Sequence, residues 1–351
     1  MNEHFISPAC PVDLSLDHER LTLAHGEGGR AMRRLIQQQI LPRLRSPALD
    51  GMADAAHLPA CRGPLAFTTD AFVVSPLFFP GGDIGRLAVF GSVNDLVASG
   101  ARPRWLSLAF ILEEGLELST LQRVLDSIAA AAQMSCVEIV AGDTKVVPRG
   151  AADRLFIATS GVGELIDPIP PGPHGLQPGD ELIVSGPIAR HGVAILACRE
   201  NLRLEPAPVS DCAPLIALAE ALRTAKIPVR AMRDATRGGV AAVLHEWAEQ
   251  CPHTLAIDEP ALPVTAEVRG VCELLGLDPL HVANEGTLMI AVAAGAGPRA
   301  IAALRQVPLA AQAALIGRVQ PRRVAPVTVR RSLGVEQALD EPHGSPQPRI
   351  C

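Results

Sequence analysis

Tyrosine is absent from this chain, and only 8 Phe and 2 Trp occur among its 351 residues, so the cores must be built from Ala, Val, Leu and Ile. No apolar run approaches the ~20 residues that a membrane-spanning helix requires. Positive charge is not in excess: the net charge of −6 offers no general attraction to nucleic acid or to an anionic membrane. Cys-x-x-Cys pairs are missing too. The 8 cysteines (Cys10, Cys61, Cys136, Cys198, Cys212, Cys251, Cys272, Cys351) are scattered, which supports neither a disulfide framework nor a zinc site. Cys136, Cys198 and Cys272 have apolar neighbours in sequence and read as ordinary buried residues. The opening MNEHFISPACPVDLSLDHER puts acids into what would be the apolar centre of a secretory signal, so the chain reads as cytoplasmic.

What is present describes a foldable globular protein: 48% of residues are hydrophobic and 19% charged. The length is great for one core and suits two α/β domains. Segment 65–74 reads as a buried strand, and 84–100 as a helix stopped by Gly100 with Pro103 beyond it. Segment 104–112 is strand-like, and 119–135 reads as a helix with Ser119 as N-cap. Segments 137–147 and 154–165 complete a first α/β unit. The stretch DPIPPGPHGLQPGD (167–180) is the candidate domain boundary, and beyond it the strand–helix alternation restarts. The class is α/β or α+β, which periodicity does not separate.

Four motifs in the first half place polar residues where a core does not want them. AHGEGGR (24–30) offers Gly26, Gly28 and Gly29, whose backbone N–H groups can converge on an anion; the same cluster serves as a simple turn. TTDAF (68–72) puts Asp70 near a strand end, a place for a turn residue or for a ligand-binding one. SVNDL (92–96) puts Asn94 and Asp95 inside an apolar helix, either on a solvated face or paired with something. AGDTKVV (141–147) places Asp143 and Lys145 two apart, on one face of a strand and flanking Thr144. Asp70, Asp95 and Asp143 suit Mg²⁺, which prefers a few carboxylates together with phosphate oxygens and water. In the second half, RDATRGG (233–239) joins Asp234 and Arg237 to a helix-opening glycine pair. HVANEGTLMI (281–290) sets Asn284 and Glu285 ahead of an apolar strand. A satisfied ion pair and a turn are the plain alternatives for these two motifs.

The chain ends EPHGSPQPRIC, with Cys351 last. Pro342, Pro346, Pro348 and Gly344 argue for an extended segment. At ~3 Å per residue such a tail reaches ~30 Å, against a radius of gyration of ~20 Å for a globule of this length. Cys351 thus stands outside any packed element and reads as accessible, with Arg349 as a positive charge that would favour its thiolate against the opposing α-carboxylate.

HGEGG, TTDAF, GSVNDLVASGARP, AGDTKVV, RDATRGG and ANEG together resemble the ATP-binding superfamily typified by aminoimidazole ribonucleotide synthetase, the PurM-like fold. Within it, FFPGGDIGRLAV (78–89) and the ending PRIC resemble the HypE family of hydrogenase maturation proteins; Glu27 stands where alanine is expected. The resemblance covers about residue 20 to Cys351. It implies a two-domain PurM-like α/β (α+β) fold, a homodimer whose N-terminal sheets meet in a barrel-like interface, and Mg-ATP near that interface. It also implies a thiol, here Cys351, that receives a carbamoyl group from HypF, is dehydrated with ATP to a thiocyanate, and supplies cyanide ligands for [NiFe]-hydrogenase through HypC–HypD. The expected division is an N-terminal segment (1–50), an ATP-binding domain (51–166), a second domain (175–335) and a flexible tail (336–351).

A thiocarbamate loses water only once its carbonyl oxygen is made a leaving group, as phosphate, while the nitrogen gives up its protons. The chemistry therefore needs a γ-phosphate held in line, cations around it and a base near the amide. Asp70, Asp95 and Asp143 are assigned to metal and ATP, Lys145 to phosphate or the developing charge, Gly26, Gly28, Gly29, Asn94 and Thr144 to the nucleotide. Glu285 is assigned as base by family analogy; Asp234, Arg237 and Asn284 shape the cleft that the tail enters. The rival readings are another enzyme of the superfamily acting on a small amide or formyl-type substrate, and a non-catalytic thiol carrier.

Overall fold

The computed structural model describes residues 20–342 and 349–351. Cys10 and the tail residues Gly344, Pro346 and Pro348, on which part of the extended-tail expectation rests, lie outside the described residues.

Short helical turns come first, α1 (Arg30–Leu35) and α2 (Leu41–Leu44), joined through Ile36–Ile40 and anchored by buried Leu35 and Ile40. Strand β1 (Leu65–Phe72) and a small hairpin, β2 (Phe78–Phe79) with β3 (Gly82–Asp83), lead into helix α3 (Ile84–Ala98). Asp83 caps α3, its carboxylate accepting from the N–H groups of Gly85 (2.8 Å) and Arg86 (3.1 Å) and from the Ser127 hydroxyl. Then follow β4 (Ala101–Glu113), α4 (Leu118–Met134), β5 (Glu138–Val147) and β6 (Leu155–Leu165). Glu117, not Ser119, occupies the N-cap position of α4, and no side chain caps it: the helix begins two residues earlier than the hydroxyl suggested. Cys136 is exposed rather than buried, because it sits with φ 52° in the turn between α4 and β5; Cys198 is half-buried and Cys272 buried.

The first sheet has the order β1-β6-β4-β5, with β4 and β5 parallel and the other neighbours antiparallel. Helices α3 and α4 cover one face only. β1 therefore departs from the expected buried strand: it is an edge strand whose Leu65, Phe67, Thr69 and Ala71 point to the uncovered side, Phe67 being 70% exposed. Helix α3 has almost every residue buried because it is packed on both flanks, against β1, β4 and β6 on one side and elements of the second half on the other.

The second sheet has seven strands, in the order β13-β12-β9-β11-β7-β10-β8. They are β7 (Glu181–Val184), β8 (Val229–Asp234), β9 (His253–Asp258), β10 (Leu288–Val292), β11 (Ala314–Pro321), β12 (Val327–Arg330) and β13 (Glu336–Ala338). Only β9 and β12 pair in parallel. The helices α5 (Arg190–Arg199), α6 (Ile216–Thr224), α7 (Gly239–Gln250), α8 (Ala266–Leu275) and α9 (Gly297–Leu304) surround it, and β7 and β10 are buried along their whole length. Residues 336–338, placed in the tail by the sequence, instead pair with β12 as an edge strand.

Candidate active site

Asp70 on β1 and Asp95 on α3 meet because both face the seam between the sheet and its covering helix. The Thr68 hydroxyl donates to Asp95 Oδ2 (2.6 Å), and the two carboxyl groups are hydrogen-bonded to one another. Burial, with the charge of Asp95 and that hydrogen bond, raises Asp70 to about 6, against the opposing pull of Arg237 and Arg233. Across the seam, at the end of β8, burial and the charge of Asp95 raise Asp234 to about 7. Glu285 completes the cluster. It is 4% exposed, and burial with the charges of Asp234, Asp211 and Asp70 holds it well above the carboxylate range, opposed by Arg237. Its Oε1 is buried with no hydrogen-bond partner, an acceptor left open inside the cleft.

The loop that carries Glu285 is held from its backbone. Asp211 accepts from the N–H groups of Glu285 and Gly286 (both 3.0 Å) and from the Thr287 hydroxyl (2.9 Å). A Cβ at Gly286 would lie 1.8 Å from the Asp211 carbonyl oxygen, so the glycine after Glu285 is a packing requirement. Asn94, expected among the nucleotide contacts, clamps the two halves instead: its amide donates to the carbonyls of Ala213 (3.1 Å) and Glu285 (3.3 Å) and accepts from Leu215 N–H (2.9 Å). Asn284, expected in the cleft, is likewise spent on backbone, accepting from Ala189 N–H (2.7 Å) and donating to the Ala235 and Val282 carbonyls. Both asparagines position the cleft from behind.

A second group forms at the other edge of the sheet. Gly26 ends a 3₁₀ turn that lies directly on β5; a Cβ there would come within 2.3 Å of Val146 N. Gly28 and Gly29 follow, Gly29 being the N-cap of α1. The turn thus runs beside Asp143, buried Thr144 and Lys145. Burial would raise Asp143, but the Lys145 ammonium (3.1 Å) and the Thr144 N–H (2.8 Å) outweigh it and lower its pKa. Asp143 pairs in register with Ala109, which pairs with Ala158 and through it with Ala71. It therefore lies at the edge away from β1 and on the uncovered face, whereas Asp70 is on the covered one. Within one chain, the expected Asp70–Asp95–Asp143 set is not assembled, and among the described residues no three carboxylate, His or Cys side chains converge as metal ligands.

The end of the chain enters the first cluster. Val73 N–H donates to the Cys351 carbonyl oxygen (3.0 Å) and Ser75 N–H to that of Arg349 (3.2 Å), an antiparallel addition beyond β1. Ile350 is 3% exposed, and Cys351 packs against the same core, so in this state the thiol is docked rather than outside any packed element. The thiol lies beside Glu285; burial and the charge of that carboxyl push its pKa up, with Arg237 opposing. Arg349 does not serve the thiol: its guanidinium pairs with Asp153. Asp211, His191, Ser210, Arg199 and Asp153 all bear on this cleft and escaped the sequence motifs, because each acts from a different loop or helix and no local spacing links them.

The clustered acids predict a sign for the pH dependence of stability. Asp234 and Asp70 hold protons in the fold that they release when unfolded, so the stability these groups contribute at acid pH is lost as pH rises from 3.8 through about 7. For Asp234 alone the window corresponds to roughly 4 kcal/mol. Denaturant melts across it should show the decline, and Asp95→Asn should flatten it; an unchanged slope in the variant would mean that the acids do not interact.

Comparison with known proteins gives concordant matches. Residues 52–165 match the family model described as AIR synthase related protein, N-terminal domain, and residues 177–330 its C-terminal domain. A protein of Escherichia coli (strain K12) named carbamoyl dehydratase HypE is 50% identical over 337 residues, covering 94% of this chain and 99% of that one. The crystal structure of a hydrogenase maturation protein HypE in complex with ATP superposes with a TM-score of 0.90 at 43% identity, covering 94% of this chain and all of that one. A HypE–HypF complex matches with a TM-score of 0.77 at 40% identity, over 88% of this chain and 99% of that one.

Proposed function

This chain belongs to the HypE family of carbamoyl dehydratases, within the AIR synthase related proteins, and from that membership we propose that it dehydrates an S-carbamoyl group on its own Cys351 with ATP. The observation that carries the reading is the docked thiol beside a buried carboxyl whose Oε1 has no hydrogen-bond partner. A carbamoyl group on Sγ would bring its NH₂ to that acceptor, so Glu285 is placed to take protons from the nitrogen as the carbonyl oxygen leaves with the γ-phosphoryl group. Arg237 is the nearby cation that favours the ionised form of Glu285.

The docked thiol is a poor nucleophile, since its pKa is pushed up and the thiolate is the reactive form. The carbamoyl group therefore enters with the tail out of the cleft, at a carbamoyltransferase such as the HypF seen with a relative, and the modified tail then docks. The thiocyanate so formed supplies cyanide for the iron of [NiFe]-hydrogenase, with HypC–HypD as acceptor, in the cytoplasm.

Asp70 and Asp95 fit a magnesium ion: they are hard oxygen donors whose proximity raises Asp70, a repulsion a cation relieves. With ATP bound, that ion would neutralise charge on the phosphates. Gly26, Gly28, Gly29, Thr144, Lys145 and Asp143 are assigned to nucleotide from the far edge of the sheet. The uncovered face with Leu65 and Phe67 supports a homodimer in which two such faces meet in a barrel-like interface. A second copy is also the way for Asp143 and Lys145 to approach an Asp70–Asp95 pair that lies on the other face of their own sheet.

The test is the intact mass of the C-terminal peptide after incubation with HypF and carbamoyl phosphate, then with Mg-ATP. The expected result is a carbamoyl increment on Cys351 that becomes one water lighter after ATP. A Cys351 left unmodified by an active HypF would overturn the reading.

A further inference from the structure

Glu285 is fixed through its backbone. Its N–H donates to Asp211 Oδ1 (3.0 Å), its carbonyl accepts from the Asn94 amide (3.3 Å), and its side-chain Oε1 has no partner. The segment that carries Asp211 lies in the second half of the sequence but is fastened to the first. Ser210 N–H donates to the Pro80 carbonyl (2.9 Å), and the Asn94 amide holds the Ala213 carbonyl and the Leu215 N–H. Asn94 is the neighbour of Asp95 on α3. Position therefore passes from α3 to residues 210–215, and from Asp211 to Glu285.

The chemistry of this hold calls for a carboxylate. Asp211 is buried and meets three donors with two oxygens: Oδ1 takes the Glu285 N–H, while Oδ2 takes the Gly286 N–H and the Thr287 hydroxyl. A carboxylate only accepts, whereas an asparagine would turn its NH₂ toward one group of donors and leave that group unsatisfied. Electrostatics alone would favour a neutral side chain, since the charge of Asp211 is one of those that oppose ionisation of Glu285. What the acid supplies is three bonds to successive residues of one loop, and bonds to a charged acceptor are the strong ones. None of the three involves the tail, so they persist when the tail is out of the cleft.

We propose that Asp211 is the positioning residue for the base, fixing residues 285–287 against Asn94 and α3 so that Glu285 keeps one place relative to Asp95. Asp211 acts through Glu285 and takes no proton itself. The proposal rests on the reading of Glu285 as base, but one arm of its test reads the loop apart from turnover.

The experiment follows dehydration of the carbamoyl group on Cys351 by intact mass, in a single turnover at saturating Mg-ATP. Asp211→Asn should slow it by ~10²-fold, the effect of misplacing a reacting group by about 1 Å. The half-saturating ATP concentration should stay within ~2-fold of wild type and carbamoylation by HypF should be intact, since only the base has moved. Thr287→Val removes one of the three bonds and should slow the step by ~5-fold, and Thr287→Ser should restore it; this pair carries the test if Asp211→Asn does not fold. Adding Asp211→Asn to Glu285→Gln should slow that variant no further, because a residue that acts through the base has nothing left to place. Amide hydrogen exchange at Glu285 and Gly286 should rise by ~10-fold or more in Asp211→Asn. A near-normal rate in Asp211→Asn, its full loss repeated on top of Glu285→Gln, a raised ATP requirement with the rate intact, or unchanged exchange would each overturn the positioning role. No thiocyanate from wild type would instead overturn the functional reading itself, an outcome set apart from the others because exchange does not depend on turnover.

Discussion

Glu285→Gln should give a chain that still accepts a carbamoyl group on Cys351 but converts it to the thiocyanate ~10²–10⁴-fold more slowly, the span that loss of a positioned general base produces. The separation of the two steps follows from the geometry. On the proposed reading, acceptance with the tail undocked does not involve Glu285, whereas dehydration of the docked thiocarbamate does. Glutamine keeps the shape of the side chain and its backbone bonds to Asp211, so the loop should not move. Stability supplies the control. Burial and the charges of Asp234, Asp211 and Asp70 raise Glu285, so its ionisation costs the fold stability and a neutral amide should be no less stable, with any gain growing as pH rises. A slow enzyme that is no less stable has lost a proton acceptor and not its fold. Near-normal turnover would move the base to another group in the cluster, with Asp234 next in line because burial and the charge of Asp95 raise it to about 7.

Lys145→Met should leave carbamoylation intact and lower ATP-dependent dehydration by ~10²–10³-fold, the usual effect of removing one group that stabilises developing charge. Here too stability should be quiet. The Lys145–Asp143 pair is 59% and 55% exposed in its side chains, and exposed pairs contribute at most about 1 kcal/mol. A thiol carrier that used ATP only to change shape would still pass a modified Cys351 onward in this variant, so retained thiocyanate formation would favour that rival. A large loss would carry a structural consequence as well. Lys145 faces away from Asp70 and Asp95 within its own chain, so its participation requires a second copy to complete the site.

The order of strands and helices, the stop at Gly100 and the strand faces of Asp143 and Lys145 are written in local sequence, because they depend on periods of 2 and 3.6 residues and on caps that act within one turn. Asp70, Asp95, Asp234 and Glu285 were legible as polar residues within short motifs and Cys351 as the end of an extended tail, and the structure brings those five together. Their meeting was not legible. It depends on α3 being packed from both sides, which turns Asn94 from a ligand candidate into a brace between the halves. Nor does spacing tell which face of a sheet a helix will cover, and that single choice exposes β1 and keeps Asp143 away from Asp70 in one chain. His191, Ser210, Asp211 and Arg199 acquire meaning only where the tail lies down, since a hydrogen bond between residues 159 positions apart leaves no trace in local pattern. Sequence alone determined which chemistry the chain is equipped for. Tertiary structure decided where the thiol rests, which acids share a cleft and which groups hold them there, because burial and long-range contact are properties of the packed chain.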